Sequence, residues 1–319
     1  MVRDTRIDLD LRGRAVLNVG EPDWASVGKA LLKVLAVTAV LCLSFRVVDK
    51  VAWLFIDDDE RMARVYATTA RVANPDKRLS YGQSEWGGLL ESTYTLQGEP
   101  RRIGPSKGET EYQITENVFG AVRAPSLDGP SGSLGTAIDA MYLDEDDAVF
   151  DGLRAEKARK AMDGLPQSLE AVAVVEFKDA MTTERLVGFQ HRHKICGGED
   201  LSYLYYPSYY DDSADPPSQN AVVWNRGMAK EPSWQDLTYQ CASEPYVALT
   251  EFRRWVGLLD EKDDFEAFGL TYGWLTEAAE DGLVYGLVVD GWQVADLRKL
   301  LDDPEVRIVH LADVAFDLG

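Results

Sequence analysis

Hydrophobic positions along this chain form one long block and many short patterned runs. The block is ALLKVLAVTAVLCLSFRVV at residues 30–48, and no other stretch stays apolar for so long. Crossing a hydrocarbon core takes about 20 mostly apolar residues. Val34 to Phe45 supplies twelve uncharged positions. Lys33 and Arg46 stand thirteen residues apart, which is roughly 20 Å along a helix at ~1.5 Å rise per residue. Long cationic side chains reach outward to head groups, and Trp53 suits an interfacial aromatic position. These features predict a transmembrane helix over 29–50. A buried core helix fits a similar length. A cleaved signal peptide does too, although no small-x-small site follows Phe45. Leu41, just before Cys42, does not suit a lipoprotein signal.

The shorter runs predict an α+β fold. Met62, Val65, Tyr66, Thr69 and Val72 recur at three-to-four spacing, which predicts a helix from Glu60 to Ala73, ended by Asn74-Pro75. Leu89–Leu96 alternates as a strand, and Tyr112–Val122 reads as a further strand around the turn-prone Asn117 and Gly120. Residues 124–135 are loop-like, and Phe150–Met162 is an amphipathic helix. Ala171–Phe177 (AVAVVEF) is a near-continuous apolar run, as in a strand buried on both faces. Thr182 and Thr183 then begin a short helix, Glu184–Phe189. Cys196–Asn220 reads as a long irregular region, with strand Ala221–Trp224 after it. Tyr246–Glu261 is a helix with Leu249, Phe252, Val256 and Leu259 on one face. Leu283–Val289, Val294–Leu301 and Val306–Leu311 follow as strand, helix and strand, with Pro304 stopping the helix. The alternation from residue 171 predicts helices packed on one sheet, in a ferredoxin-like arrangement. The expected organisation is a short segment 1–28, the membrane helix 29–50, a first α+β region 57–166 and a C-terminal domain 167–319.

Charge gives this layout a direction. The whole chain has 33 basic and 54 acidic residues, net −21. Residues 1–46 hold seven basic and five acidic side chains, so the remainder has 26 and 49, net −23. A region so acidic has no basic surplus for nucleic-acid phosphates, so nucleic acid is excluded as an expected partner. Arg3, Arg6, Arg12, Arg14 and Lys29 lie on the N-terminal flank of the apolar block, whereas the other flank has Arg46 and Lys50 and then Asp57, Asp58, Asp59 and Glu60. Positive charge stays on the cytoplasmic side, so the N-terminus is expected inside and the bulk of the chain outside. In an oxidising compartment Cys196 and Cys241 are expected to pair. That closes a loop of about 45 residues, worth roughly 4 kcal/mol in the chain-entropy model. Two buried free thiols are the competing reading.

Val284–Val314 reads VYGLVVDGWQVADLRKLLDDPEVRIVHLADV. It resembles the C-terminal domain of membrane-bound sigma factor regulators, which carry a Tyr-Gly-containing strand, a helix with a leucine pair and an Asp-Pro-x-Val-Arg strand. The matching residues include Tyr285, Gly286, Gly291, Leu300, Leu301, Pro304 and Arg307. The run Ala171–Phe177 followed by Met181-Thr182-Thr183 resembles the earlier part of that domain. The resemblance is strong over the last 35 residues and weaker over the last 150. It implies a single-pass anti-sigma factor that restrains an extracytoplasmic-function sigma factor at the membrane. Many members use a larger, sometimes zinc-bound, cytoplasmic domain. Residues 1–28 contain neither cysteine nor histidine, so docking would proceed by folding of a short peptide on its partner.

Catalytic and cofactor signals are sparse. No GxSxG, HExxH or GxxxxGK[ST] pattern occurs. His191, His193 and Cys196 have ligand-like spacing, but a hydrated loop with Cys196 bonded to Cys241 is the expected reading. The acidic groups at 144–147, 211–215 and 260–264 match no calcium loop. His310 is expected to be a packed sheet residue. Tyr205, Tyr206, Tyr209 and Tyr210 form a candidate binding loop beside acids, against a reading in which the rings cover the core. No enzyme activity, cofactor or metal is expected. The expected partners are the lipid bilayer and a cytoplasmic protein, a sigma factor. The competing classes are a membrane-tethered envelope binding or structural protein and an envelope enzyme.

Overall fold

A computed structural model describes residues 24–55, 58–80, 82–88, 91–101, 103, 110–117, 119–124, 133–142, 148–196, 200–210, 218–226, 228–229 and 243–316. The chain divides into two units, Met1–Phe55 and Ile56–Gly319. Most of the expected cytoplasmic segment, residues 1–23, lies outside the described residues.

The first unit contains α1 (Trp24–Phe55), longer at both ends than the helix predicted over 29–50. Its apolar part, Trp24–Val48, is 25 residues and contains an 18-residue window of mean hydropathy 2.2, and none of it is buried by protein. At ~1.5 Å per residue that is about 37 Å, against a hydrocarbon core of about 30 Å. Leu32 is 71% and Phe45 54% exposed, which is not how a core helix of a soluble domain presents its side chains. Thr38 Oγ1 and Ser44 Oγ donate to the carbonyls of Val34 and Val40, each at 2.9 Å. Both hydroxyls are therefore satisfied within the helix, as an apolar surrounding demands.

The second unit starts with α2 (Asp58–Arg61), a π-helical turn (Met62–Tyr66) and α3 (Ala67–Ala73). The five residues that predicted this helix are all buried. Next come β1 (Lys77–Leu79), β2 (Gln83–Gly88), β3 (Glu91–Pro100), β4 (Thr110–Asn117) and β5 (Val122–Arg123). They form an antiparallel sheet in which β3 has β4 on one side and both β1 and β2 on the other. Tyr94, Leu96, Tyr112 and Ile114 send their rings and branches into the core. The β4–β5 turn falls where the sequence marks it: Asn117 Oδ1 accepts from the N–H groups of Phe119 and Ala121, and Gly120 sits at φ +80°. β1 and β2 were not legible. Helix α4 (Ser133–Asp139) begins inside the stretch expected to be loop, and residues 125–132 lie outside the described residues. Helix α5 (Ala148–Asp163) contains the predicted 150–162.

The second sheet is built on β6 (Glu170–Met181). Thr182 caps α6 (Thr183–His193), its side chain accepting from the Arg185 N–H. Then follow β7 (Leu201–Tyr206), a ribbon of β8 (Tyr209–Tyr210) with β9 (Ser218–Gln219), and β10 (Val222–Trp224). Helices α7 (Glu244–Val256) and α8 (Tyr272–Asp281) lead to β11 (Val284–Gln293), α9 (Val294–Leu300) and β12 (Val306–Ala315). The sheet order is β10-β7-β11-β6-β12, with every neighbouring pair antiparallel. The reading of 196–220 as irregular is corrected, because β7 is an internal strand. Apart from Ser202 its residues are apolar or aromatic on both faces, so the alternation that marks a half-wet strand is absent. Ala171, Ala173 and Val175 of β6 join the core shared with α6, α7, α8, α9 and the first sheet. Val172 and Val174 join Leu134, Ala137 and Ile138 of α4 on the other face. The division expected near residue 167 falls inside one compact unit.

Gly286 tests how closely these strands approach. A Cβ there would stand 2.7 Å from the Val175 carbonyl oxygen and 3.2 Å from Met141 Cε. Backbone cannot yield as a flexible side chain does, so Gly286→Ala is expected to cost about 1–3 kcal/mol. At Gly273, in the first turn of α8, a Cβ meets nothing within 4 Å. Gly273→Ala is therefore expected to be neutral or to stabilise by up to about 1 kcal/mol. Urea melts of both variants beside the parent measure the contrast, and equal effects would contradict the close approach.

Candidate functional site

The positions flagged by the sequence serve mainly as structure. Tyr285 is half-buried on β11, and Gly286 is the close-approach position just described. Gly291 sits at φ +70°, at a register irregularity of β11 against β6. Pro304 lies in the turn between α9 and β12. Arg307 Nη1 donates to Glu176 Oε1 at 3.0 Å, and Nη2 to the Lys178 carbonyl at 2.9 Å.

The candidate tyrosine loop separates into parts. Tyr205 is 2% exposed and stacks on Phe252 of α7, with ring centroids 4.9 Å apart. Trp224 and Trp255 extend this aromatic core at 5.4 Å. Burial raises the Tyr205 phenol well above its ordinary pKa. Tyr205 is thus a core residue of β7, and its place in a binding loop is corrected. Tyr206 points elsewhere: its ring lies 4.6 Å from Trp274 of α8 and 6.2 Å from Tyr285. These three half-buried rings bring together one loop candidate, one motif position and a tryptophan the sequence reading passed over. Tyr209 and Tyr210 are on β8.

A groove of about 460 Å³ opens between α4, α5 and β12. Ala137, Ala140, Ala158, Ala161, Met162 and Ile308 give it apolar walls, and Arg154, Lys157 and His310 supply cationic and imidazole groups. Behind it, buried Glu176 of β6 accepts from Arg307 through one oxygen and bonds His310 Nε2 at 3.0 Å through the other. Arg307 balances the buried carboxylate and the pair holds the imidazole in place. The arrangement suits binding of an apolar segment with an acidic or polar end. Glu176 was visible in the sequence as the lone carboxylate in AVAVVEF. Its partners were not visible, because β12 reaches β6 only through the sheet.

The ligand-like spacing of His191, His193 and Cys196 does not gather a site. Helix α6 runs through His193 and turns away at Lys194, at φ 56°. His191 is exposed, whereas His193 Nε2 bonds Asp303 at 2.6 Å and its ring lies 4.6 Å from Phe189. Among the described residues no cluster of three metal-ligating side chains occurs. Cys42 carries a free thiol and Cys196 does not. Cys241 lies outside the described residues, as do the acidic groups at 144–147 and 211–215. Asp263 of the third acidic group is bonded by Arg61. Compared with protein-family models, curated proteins and solved structures, the chain matches none.

Asp303 fastens the α9–β12 turn to α6. Partial burial pushes its carboxyl upward, but the Glu305 N–H at 2.8 Å, His193 and Arg192 outweigh that and hold its pKa below the ordinary carboxylate value. A depressed folded-state pKa stabilises the fold above the unfolded value, about 3.9, and that contribution is lost as pH falls through the folded value. Asp303→Asn is expected to cost about 1–3 kcal/mol at pH 7. The gap from the parent should close below about pH 4. Urea melts across pH 3–7 measure it, and a gap independent of pH would reject the charge-based account.

Proposed function

We propose that this chain is a single-pass membrane regulator that holds its N-terminus in the cytoplasm and presents Ile56–Gly319 outside. The observation that carries the reading is the 25-residue apolar span of α1, none of it buried. A soluble chain exposing that surface would aggregate or associate. The orientation rests on the arginines of residues 1–14. The partner inside is a sigma factor, contacted by residues 1–28, and the chain restrains it as an anti-sigma factor. Support comes from the resemblance at 284–314.

The sheet order supports a ferredoxin-like arrangement for the C-terminal region. Taking β6, β7, β11 and β12 as first to fourth, they lie fourth, first, third, second, with helices α6 and α9 on the two crossovers. The β8–β9 ribbon, β10, α7 and α8 are then an insertion between the second and third strands. We assign Cys196 and Cys241 as a disulfide that ties this insertion to the end of α6, consistent with an oxidising compartment. A second reading, a tethered envelope binding protein without signalling, is favoured by the groove beside β12.

The full-length protein is expected in the membrane fraction, released by detergent but not by high salt or carbonate. Reporter fusions should place the N-terminus inside and the C-terminus outside. A sigma factor should co-purify with the parent and be lost when residues 1–28 are deleted. A folded single species in the supernatant without detergent would end the membrane reading. Co-purification that survives the deletion would end the assignment of residues 1–28.

A further inference from the structure

One recess runs against the charge of the whole chain. It encloses about 300 Å³ and is lined by Arg71, Pro75, Lys77, Arg78, Leu79, Ser80, Arg101, Asn225, Arg226 and Met228. Five of those ten side chains are cationic and none is a carboxylate, in a chain of net −21. The cations come from four separate places: α3, β1, the end of β3 and the segment after β10. Chance clustering from neighbouring sequence does not account for that.

The surroundings fix several of these groups. The Arg71 guanidinium donates to the carbonyls of Leu79, Ser80 and Met228 at 3.0, 3.0 and 3.1 Å. It thereby holds two walls of the recess at a set spacing. Lys77 Nζ lies 3.1 Å from Tyr112 Oη and 5.1 Å from the ring centroid. Arg101 is buried, its Nε 3.2 Å from Asp290 Oδ2 and its Nη2 donating to Ser202 Oγ at 3.0 Å. Arg78 bonds the same Asp290 carboxylate, so one buried anion serves two guanidinium groups. Asp200 stands 3.6 Å from Arg78 but is exposed, which makes it a weak counter-charge. Asp76, next to Lys77, is turned to the N–H groups of Leu134 and Gly135. Burial lowers the Arg101 pKa, and the like charge of Arg78 adds to that against the pull of Asp290.

We propose that this recess is a binding site for a small molecule bearing a phosphoryl or carboxyl oxyanion. Guanidinium groups match planar and tetrahedral oxyanions through paired hydrogen bonds. Ser80 and Asn225 add neutral polar groups, and Pro75, Leu79 and Met228 an apolar wall. That mixture suits an organic anion rather than a bare halide. Lys77, Arg78 and Arg226 supply the recognising charges, and Arg71 is a positioning residue. The proposal goes beyond the tethered-regulator reading and does not depend on it, since binding is a property of the second unit whichever side of a membrane it occupies.

The test is isothermal titration of the full-length protein in neutral detergent at low ionic strength. The probes are inorganic pyrophosphate and citrate, with sodium chloride at matched ionic strength as the third arm. A saturable one-to-one heat is expected for pyrophosphate or citrate, and whichever binds tighter identifies the oxyanion. Lys77→Gln and Arg226→Gln should each weaken it on the order of tenfold. Arg185→Gln, on α6, should leave it unchanged, and circular dichroism checks that each variant is folded. Heat that chloride reproduces, no saturable heat with either probe, or affinity that both folded recess variants retain would overturn the site.

Discussion

A strand that is apolar on both faces cannot be wetted on either, and the second unit is organised around that demand. β6 buries Ala171, Ala173 and Val175 on one face and Val172 and Val174 on the other. Leaving either set in water would forgo roughly 25 cal/mol per Å² of apolar surface. The chain therefore has to supply cover twice. Helices α6 and α9 meet one face and α4 the other. The two neighbours of β6, β11 and β12, extend the covered platform. The groove beside β12 exists because α4 and α5 roof that edge without closing on each other.

The same dryness decides where charge is tolerated. Glu176 sits within the apolar run and is held by Arg307 and His310. Asp290, 5% exposed, is held by Arg78 and Arg101, which come from the first sheet and its end. Breaking such a pair leaves an unbalanced buried charge, a penalty of several kcal/mol. Each cluster also joins segments far apart in sequence, so the ion pairs specify which edges meet. Asp303 does the same at lower burial, joining α6 to the turn before β12.

Much of this was legible where periodicity and capping agree. The Met62–Val72 spacing, the Thr182 cap, the helical face of α7 and the Val294–Leu301 helix all follow from local rules, and the structure places their apolar residues inside. What was not legible depends on non-local cover. β7 looked irregular because LSYLYY has no alternation, and only its position between β10 and β11 makes it a strand. β1 is three residues long, and pairing with Gly98–Pro100 alone defines it. α8 starts at Tyr272-Gly273, a weak helical opening that Thr271 rescues by accepting from the Trp274 N–H. The sites were less legible than the fold. Their key pairs join side chains 100 or more residues apart, as with Arg101 and Asp290 or Glu176 and His310. Short spacing, as in His191 to Cys196, pointed to a cluster that does not form.

The chain's charge and its cationic recess act over different distances. A net of −21 makes the long-range field repel anions. That field is screened beyond about 10 Å at moderate salt, whereas hydrogen bonds from guanidinium groups act at contact. An anion therefore approaches without steering and is retained only if it satisfies several donors together. Monovalent halides cannot do that, and a phosphoryl or carboxyl group can. The acidity of the surface thus sharpens selectivity, because it removes the diffuse attraction that lets basic proteins collect anions of every kind. An anion held there would also offset the like charges of Arg78 and Arg101, whose shared buried counter-charge is Asp290.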